Sequence, residues 1–209
     1  MMLDYEQKLY KQGYELIAGC DEAGRGPLCG PVVCACVIMP KNYQNEEIND
    51  SKKLTDKKRK KLFDIIIKDA LAYAIIEISP QEIDEINIYE ASRKGMQDAI
   101  EALNIKPDYI LTDAMPLLKF KDIPQEALIK GDAKAINIAA ASILAKVTRD
   151  NIMDELDKKY PEYQFCKHKG YPTKLHLELL EKYKPIKEIY RYSYKPVKKY
   201  TFEQITLKF

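Results

Sequence analysis

The chain has no long apolar segment and no common acyl- or nucleotide-handling motif. No apolar run reaches the roughly 18 residues that a helix needs to span a bilayer, and no apolar leader with a cleavage signature opens the sequence. These absences predict a cytoplasmic protein without membrane contacts. Neither Gly-x-Ser-x-Gly nor Gly-x-x-x-x-Gly-Lys occurs, so acyl hydrolases and P-loop proteins lack their core element here.

A net charge of one sign is also missing. The 209 residues include 34 Lys and Arg against 32 Asp and Glu, a formal net charge of +2, so no global field points to a polyanionic partner. Basic residues gather locally at 52–61, 167–174 and 182–199, where they could contact phosphates along a groove. Lys-rich helix faces are more often only solvated, and we prefer that interpretation for most of these lysines.

Histidine is scarce, and cysteine lacks a pairing pattern. The five cysteines, four of them in the most apolar part of the chain, indicate reduced core thiols rather than a disulfide framework. Cys34 and Cys36 would share one strand face, but no second Cys or His pair at zinc-finger spacing accompanies them. His168 and His176 make a poor metal pair. We expect His176 to serve local structure, and a nucleic-acid contact of His168 stays open.

The pattern that is present is strand-rich first and helix-rich later. Predicted strands cover residues 16–20, 32–39, part of 71–78, 109–112 and 127–129, and predicted helices cover 55–68, 80–103 and 133–159. The first three strands follow one another closely, which predicts an antiparallel meander, while the helix-separated later strands predict parallel pairing. We therefore expect an α/β fold with a mixed sheet flanked by helices. Residues 1–172 would form one domain, and 173–209 a helical extension packed on it.

Carboxylates recur where the predicted strands end. Asp21 and Glu22 follow the first strand, Asp113 ends the fourth, and Asp132 comes shortly after the fifth. Carboxylates meeting at one edge of a sheet would repel one another unless hard divalent cations neutralised them. The pattern predicts a site for Mg²⁺ or Mn²⁺, and two such ions about 3.5–4 Å apart would support in-line phosphodiester displacement. Because strand side chains alternate, Glu22 is expected to be the more peripheral ligand.

Other roles are possible for several of these acids. Asp113 could cap the segment that follows it, and Asp132 could cap the Ala-rich helix, alone or in addition to binding metal. Three further acids are interpreted as solvated or structural: Asp122, Asp150 and Asp154.

Two glycines bracket the one arginine of the segment after Glu22. Gly24 and Gly26 leave the backbone around Arg25 without side-chain cover, so its N–H groups and guanidinium could approach a phosphodiester. A plain Gly-Pro turn with solvated charges is the commoner outcome of such a segment. That alternative leaves unexplained why further strands also end at carboxylates.

Five motifs, in order along the chain, resemble the signature of ribonuclease HII, the type 2 prokaryotic ribonuclease H. They are DEAGRGPLCGPVV at 21–33, NDSKKL at 49–54, KGD at 130–132, IAAASILAKVTRD at 138–150 and HKGYPT at 168–173. Weaker similarity at 191–197, RYSYKPV, extends the resemblance over nearly the whole chain.

The resemblance implies a ribonuclease H-like fold with a five-stranded sheet and a C-terminal helical extension. It implies that Asp21, Glu22, Asp113 and Asp132 are the catalytic acids and hold two divalent ions, with Asp21 between the metals. Ala114 stands where the family often has glycine, and this larger residue could reshape the loop without moving the Asp113 carboxylate.

The resemblance also implies a set of substrate contacts. Sensing of a ribose 2′-hydroxyl is assigned to the backbone of the Gly24-Arg25-Gly26 segment together with Tyr171, which would stand on a rigid exposed turn. The remaining positions are a phosphate contact at Lys52, two residues one helical turn apart, Ser142 and Lys146, and a substrate-side residue, Asn87.

The implied activity is endonucleolytic cleavage of the RNA strand of RNA–DNA hybrids and nicking 5′ of single ribonucleotides in duplex DNA. The products would carry 5′-phosphate and 3′-hydroxyl ends, as needed for ribonucleotide removal in replication and repair. The enzyme is expected to be a monomer. A sliding-clamp contact is only faintly indicated, by the tail at 204–209.

Three rival functions make other demands on the sequence. Ribonuclease HIII typically has Lys at the place of Arg25 and a substrate-binding domain before the catalytic one, for which the 20 residues before Asp21 would leave no room. A non-catalytic nucleic-acid binder would be favoured if Asp21, Glu22 or Asp113 lay outside the metal cluster. A structure-specific DNA nuclease of the same superfamily would have no use for the Gly-Arg-Gly segment and Tyr171.

Overall fold

A five-stranded mixed sheet forms the centre of the fold. The computed structural model describes residues 4–48, 51 and 54–201. The strands are β1 (Ile17–Ala23), β2 (Val32–Ile38), β3 (Ala72–Ile78), β4 (Tyr109–Asp113) and β5 (Gln125–Leu128). Their order across the sheet is β3-β2-β1-β4-β5, with β1, β2 and β3 antiparallel and β1, β4 and β5 parallel. The predicted mixed topology is confirmed.

Helices cover both faces of this sheet. They are α1 (Asp4–Lys11), α2 (Asp56–Asp69), α3 (Pro80–Ile86), α4 (Ile88–Glu101), α5 (Ile136–Lys159), α6 (Phe165–His168), α7 (Lys174–Tyr183) and α8 (Lys195–Lys198). Across the described ranges, no helix is both long enough and apolar enough to cross a membrane.

Strand β2 is buried on both faces, which explains its continuous apolar sequence. Its side chains at 32, 34, 36 and 38 face α3 and α4, and those at 33, 35 and 37 face α2 and α5. Cys34 and Cys36 therefore share one face, as predicted, and Cys20 of β1 joins them in the same apolar layer. All five cysteines are free, with only Cys166 exposed.

Helix α5 lies directly against β1. A Cβ added at Gly19 would lie 2.2 Å from the carbonyl carbon of Asn137, so only glycine allows this backbone approach. The close packing places the second and third turns of α5 beside the end of β1. It thereby brings the α5 side chains at 142 and 146 next to Asp21 and Glu22.

Several predicted element boundaries were wrong. Strand β1 continues through Asp21 and Glu22 to Ala23, because these residues pair with β2. The single helix expected over 80–103 is two helices, broken at Asn87, whose φ of 68° is outside the helical range. Helix α5 begins at Ile136, with Ala135 at its N-cap, so Asp132 does not cap it. Strand β5 begins at Gln125, two residues earlier than predicted.

The segment after α5 packs onto the loop between β1 and β2. Leu28 and Cys29 of that loop share an apolar cluster with Met153 of α5 and with Ile189 and Tyr190. Cys29 and Tyr190 also form an isolated antiparallel β-bridge. The division into a domain at 1–172 and an extension at 173–209 stays a proposal; the shared cluster supports only its expectation that the C-terminal segment packs on the rest.

Candidate active site

Three carboxylates meet near the carboxyl ends of β1 and β4. Asp21, Asp113 and Asp132 each offer an oxygen, and these oxygens lie within 4.8 Å of one another. Asp21 and Asp132 are buried, and Asp113 is half-buried. The fold thus brings together three of the four predicted acids from three separate parts of the chain.

Burial makes this arrangement of carboxylates unfavourable when no cation is bound. It raises the pKa of Asp21 well above its usual value, and the charges of Glu22 and Asp113 raise this pKa further. Hydrogen bonds from the Ser142 side chain and from the Glu22 N–H, the latter at 2.7 Å, act in the opposite direction. A site of crowded, buried, all-oxygen donors fits a hard divalent cation, which would relieve the repulsion.

Glu22 lies beside this group of three and not within it. Strand alternation directs Asp21 toward α5, where it meets Ser142, and Glu22 toward the opposite face of the sheet. The Glu22 carboxylate lines the same cleft and lies 3.6 Å from the Arg25 guanidinium. The negative charge of Glu22 raises the pKa of Asp21 from outside the group of three, in line with the peripheral position expected for Glu22.

The backbone between β4 and α5 fixes the positions of the other two acids, Asp113 and Asp132. Asp113 Oδ1 accepts a 2.7 Å hydrogen bond from the Gly131 N–H, which ties the end of β4 to the short 3₁₀ turn that carries Asp132. Ala114 has a φ of 52°, a left-handed conformation that glycine adopts at lower cost. Its N–H still bonds the Leu128 carbonyl at 3.0 Å, so the alanine occupies the turn without breaking the β4–β5 connection.

A cleft beside the acids is lined by the Gly24-Arg25-Gly26 segment. Gly24 has a φ of 105°, and a Cβ there would lie 2.2 Å from the Arg149 side chain. Arg149 is buried and donates to the carbonyls of Pro31, Lys169 and Cys29 at 3.0–3.1 Å. This guanidinium thus ties the loop after β1 to the segment before Tyr171.

Tyr171 forms part of the wall of the cleft. A Cβ added at Gly26 would lie 3.4 Å from Tyr171 Cε1, so the ring stands beside the glycine backbone. The ring is 44% exposed, while its backbone carbonyl is 2.9 Å from His176 Nδ1. The exposed ring on a fixed backbone is the arrangement that the sequence predicted.

The two histidines support this turn from inside. Their rings stack with centroids 4.0 Å apart, and both are buried. Burial, together with the neighbouring His168, lowers the pKa of His176 to about 4. The structural role expected for His176 is therefore confirmed, and the buried His168 bonds the Tyr163 carbonyl at 2.9 Å.

Helix α5 contributes one face to the cleft. Ser142 Oγ lies 2.9 Å from Ser51 Oγ, and Lys146 Nζ donates to Asp150 at 2.6 Å. Sequence reasoning missed Ser51 and Arg149 as members of this site. The spacing of 142, 146 and 149 on one helix face was a usable signal for Arg149.

One predicted substrate residue, Asn87, does not line this cleft. Asn87 caps α4, because its Oδ1 accepts the N–H groups of Tyr89 and Glu90 at 3.0 and 3.1 Å. The capping bonds give a structural reason for an asparagine at this position. Lys52 lies outside the described residues.

Comparisons with known proteins identify the family. The family model for ribonuclease HII matches residues 18–197, which includes all four candidate acids. The chain belongs to the ribonuclease HII family.

Curated ribonuclease HII proteins resemble the chain along most of its length. The protein from Bacillus cytotoxicus is 51% identical over 197 residues, covering 94% of this chain and 75% of the relative. The protein from Caldanaerobacter subterraneus subsp. tengcongensis is 55% identical over 183 residues, covering 87% and 75%. The protein is accordingly a ribonuclease H, an endonuclease that acts on RNA–DNA hybrids.

Solved structures share the fold. The ribonuclease H2 of Pyrococcus horikoshii OT3 aligns with a TM-score of 0.76 and 31% identity, over 92% of this chain and 99% of that one. The Archaeoglobus fulgidus ribonuclease HII, solved in complex with PCNA, aligns with a TM-score of 0.68 and 27% identity, over 80% and 88%. A ribonuclease HIII solved with Mn²⁺ has a TM-score of 0.70 at 17% identity, over 93% and 71%, which shows likeness of fold alone.

Proposed function

We propose that this ribonuclease HII nicks duplex DNA 5′ of a single embedded ribonucleotide, as well as cutting longer hybrids. The observation that carries the proposal is the convergence of Asp21, Asp113 and Asp132 beside a cleft walled by the Gly24-Arg25-Gly26 segment and Tyr171. One part of this site suits phosphodiester hydrolysis and the other suits recognition of a sugar. The biological role would be removal of ribonucleotides during replication and repair.

Asp21, Asp113 and Asp132 would hold Mg²⁺ or Mn²⁺, with Glu22 as a fourth, more peripheral ligand. Two such ions supply an activated water and stabilise the leaving 3′-oxygen of the displacement. On the family resemblance, Asp21 would be the acid between the two ions, and the charges of Glu22 and Asp113 both act on its carboxylate. Ser142 keeps the Asp21 carboxylate oriented through its hydrogen bond.

The Gly24-Arg25-Gly26 backbone and Tyr171 would recognise the ribose. A protein tells RNA from DNA through the 2′-hydroxyl, which both donates and accepts hydrogen bonds. Backbone groups flanked by glycines can approach that hydroxyl without steric hindrance. The exposed Tyr171 ring beside Gly26 would stack on the adjacent sugar or base.

Cationic side chains would position the strand backbone. Arg25 is 44% exposed beside the acids, and Lys146 stands opposite on α5. Lys146 is held by Asp150, so a phosphate would share this lysine with a carboxylate. Lys52 and Asn87 would also contact the substrate, a role that only the family resemblance supports.

The test is cleavage of a DNA duplex that carries one ribonucleotide, with Mg²⁺, Mn²⁺ or EDTA. We expect metal-dependent nicking immediately 5′ of the ribonucleotide, with a 5′-phosphate on the downstream product. Asp21→Asn should lower the rate at least about 1,000-fold, and Tyr171→Ala should weaken cleavage less severely. Cutting of long hybrids with no cutting of the single-ribonucleotide duplex would contradict the proposal.

A sliding-clamp contact is a further, separate part of the proposal. The Archaeoglobus fulgidus relative was solved with PCNA, and this chain ends in a tail with Gln204, Ile205 and Phe209, outside the described residues. We propose a monomer whose tail binds the cognate clamp. Co-elution of the clamp with the full chain, and not with a chain ending at Thr201, would support it; equal co-elution would exclude the tail.

A further inference from the structure

The carbonyl oxygen of Arg25 is held by side chains from the end of the chain. Tyr194 Oη donates to it at 2.6 Å and Arg191 Nη1 at 3.2 Å. The two donors also contact each other, since Arg191 Nη1 lies 3.0 Å from Tyr194 Oη and the guanidinium lies over the ring at 5.2 Å. Neither Arg191 nor Tyr194 lines the cleft described above.

The hydrogen bonds to the Arg25 carbonyl fix the orientation of the whole peptide group between Arg25 and Gly26. The C=O of Arg25 and the N–H of Gly26 belong to one planar trans peptide, in which the two bonds point in opposite directions. Because Tyr194 and Arg191 hold the carbonyl on one side, the Gly26 N–H is aimed at the other side. Gly26 lines the cleft beside Tyr171, so the orientation of this peptide decides what the cleft offers to a sugar.

The segment that carries Tyr194 is itself anchored to α3. The Asp84 carboxylate accepts the N–H of Tyr192 at 2.7 Å, the N–H of Ser193 at 2.8 Å and the Ser193 hydroxyl at 2.6 Å. Three hydrogen bonds to one carboxylate fix the backbone immediately before Tyr194. Asp84 thus has a defined partner set that the hydrolytic chemistry does not use.

A second anchor joins the same segment to the loop that follows the Gly-Arg-Gly residues. The Gly30 N–H donates to the Ile189 carbonyl at 2.8 Å, and the Arg191 N–H donates to the Leu28 carbonyl at 2.9 Å. With Asp84 on one side and this bridge on the other, Tyr194 has little freedom to move away from Arg25.

We propose that Asp84 and Tyr194 are positioning residues for ribonucleotide recognition. Asp84 fixes the segment, Tyr194 fixes the Arg25 carbonyl, and the Gly26 N–H is thereby preorganised toward the ribose 2′-hydroxyl. The inference rests on the proposed function, in which the Gly24-Arg25-Gly26 backbone senses that hydroxyl. It assigns the specificity of the site in part to Tyr194, which lies 169 residues after Arg25 in the sequence.

Tyr194→Phe tests this with the loss of a single hydroxyl. Two measurements are needed: kcat/KM for a duplex with one ribonucleotide, and the inhibition constant of the same duplex made entirely of DNA. We expect kcat/KM to fall about five- to tenfold, the usual effect of one hydrogen bond, with the inhibition constant unchanged and the melting temperature lowered by no more than about 4 °C. Asp84→Ala should produce the same selective loss.

Tyr192→Phe is the matched control. Its hydroxyl donates to the Pro185 carbonyl at 3.2 Å and not to Arg25, so the variant should keep the wild-type kcat/KM. Wild-type kcat/KM in Tyr194→Phe, or an equal loss of affinity for the all-DNA duplex, would overturn the inference. Failure of the wild-type protein to cut the single-ribonucleotide duplex would overturn the proposed function itself, before any variant is compared.

Discussion

At the scale of single residues, the site combines groups that are each unfavourable for folding. Asp21 is buried among other carboxylates, Arg149 is buried among backbone carbonyls, and Ala114 adopts a left-handed conformation. Such local costs persist where the surrounding structure fixes them, and they concentrate at functional sites. A bound cation would explain why the carboxylates are crowded together. The reaction offers no such explanation for the left-handed conformation of Ala114.

Ala114→Gly should therefore stabilise the protein by about 0.5–1 kcal/mol. The Ala114 side chain is exposed, so glycine removes the strain of φ 52° without losing packing, and this gain exceeds the added entropy of the unfolded chain. Denaturant unfolding measures the difference. Ala102→Gly is the control, because Ala102 is exposed with a φ of −77° and should lose stability on the same change. A loss of stability in Ala114→Gly would show that the turn is not strained.

At the scale of elements, the placement of α5 depends on α1. The N-cap residue of α5 is Ala135, whose side chain cannot accept a hydrogen bond from the first N–H groups of the helix. Instead Glu6 of α1, fully buried, accepts the N–H of Asn137 at 3.1 Å through Oε1. A carboxylate at this position satisfies an N-terminal N–H and interacts favourably with the helix dipole. Helix α1 thus helps to hold the helix that delivers Ser142 and Lys146.

Glu6 also makes stability depend on pH. Burial raises its pKa from 4.5 to about 7, so the folded protein favours the neutral form. The stabilisation is complete below pH 4.5 and is lost as the pH rises toward 7, by roughly 3 kcal/mol from this group. Glu6→Gln should flatten the change of unfolding free energy over this range, measured by denaturant unfolding at several pH values.

The difference between wild type and Glu6→Gln isolates this one group from the other titrating residues. Glu46→Gln, at an exposed glutamate, is the control and should keep the wild-type pH dependence. Parallel profiles for wild type and Glu6→Gln between pH 4.5 and 7 would contradict the assignment.

At the scale of the whole molecule, the C-terminal part shares one apolar cluster with α5 and the loop between β1 and β2. Tyr163, Tyr190 and Tyr200 pack with Leu28 from the β1–β2 loop and Met153 of α5. Contacts of this kind couple the stability of the two parts, because neither can bury these side chains alone. The described part of the extension, residues 173–201, is thus better regarded as part of the catalytic unit than as an attachment.

We expect the two parts to unfold in one cooperative transition. The chain has no Trp and 15 Tyr, so near-UV circular dichroism reports the packing of the tyrosines, those of the cluster included, while far-UV circular dichroism reports the helices and strands. The two denaturation curves should coincide. An earlier transition in the near-UV signal would show that the C-terminal part unfolds independently.

The sequence was most informative where neighbouring positions carry the signal. Continuous apolar residues predicted β2, and strand alternation predicted that Asp21 and Glu22 face opposite ways. The break at Asn87 was missed because apolar residues at helical spacing continue across it. Glu6, Arg149 and Asp84 were missed because their partners are backbone groups of distant segments, and no local pattern marks a charged side chain that will be buried.

Binding of Mn²⁺ in the absence of nucleic acid is the most direct test of the central claim, that Asp21, Asp113 and Asp132 form a divalent-metal site. Electron paramagnetic resonance of free Mn²⁺ measures it, because the ion loses its aqueous signal when bound. The account predicts that wild-type protein binds Mn²⁺ and that Asp21→Asn weakens this binding at least about tenfold. Equal binding by wild type and Asp21→Asn would contradict the claim, since it would place the metal away from these carboxylates.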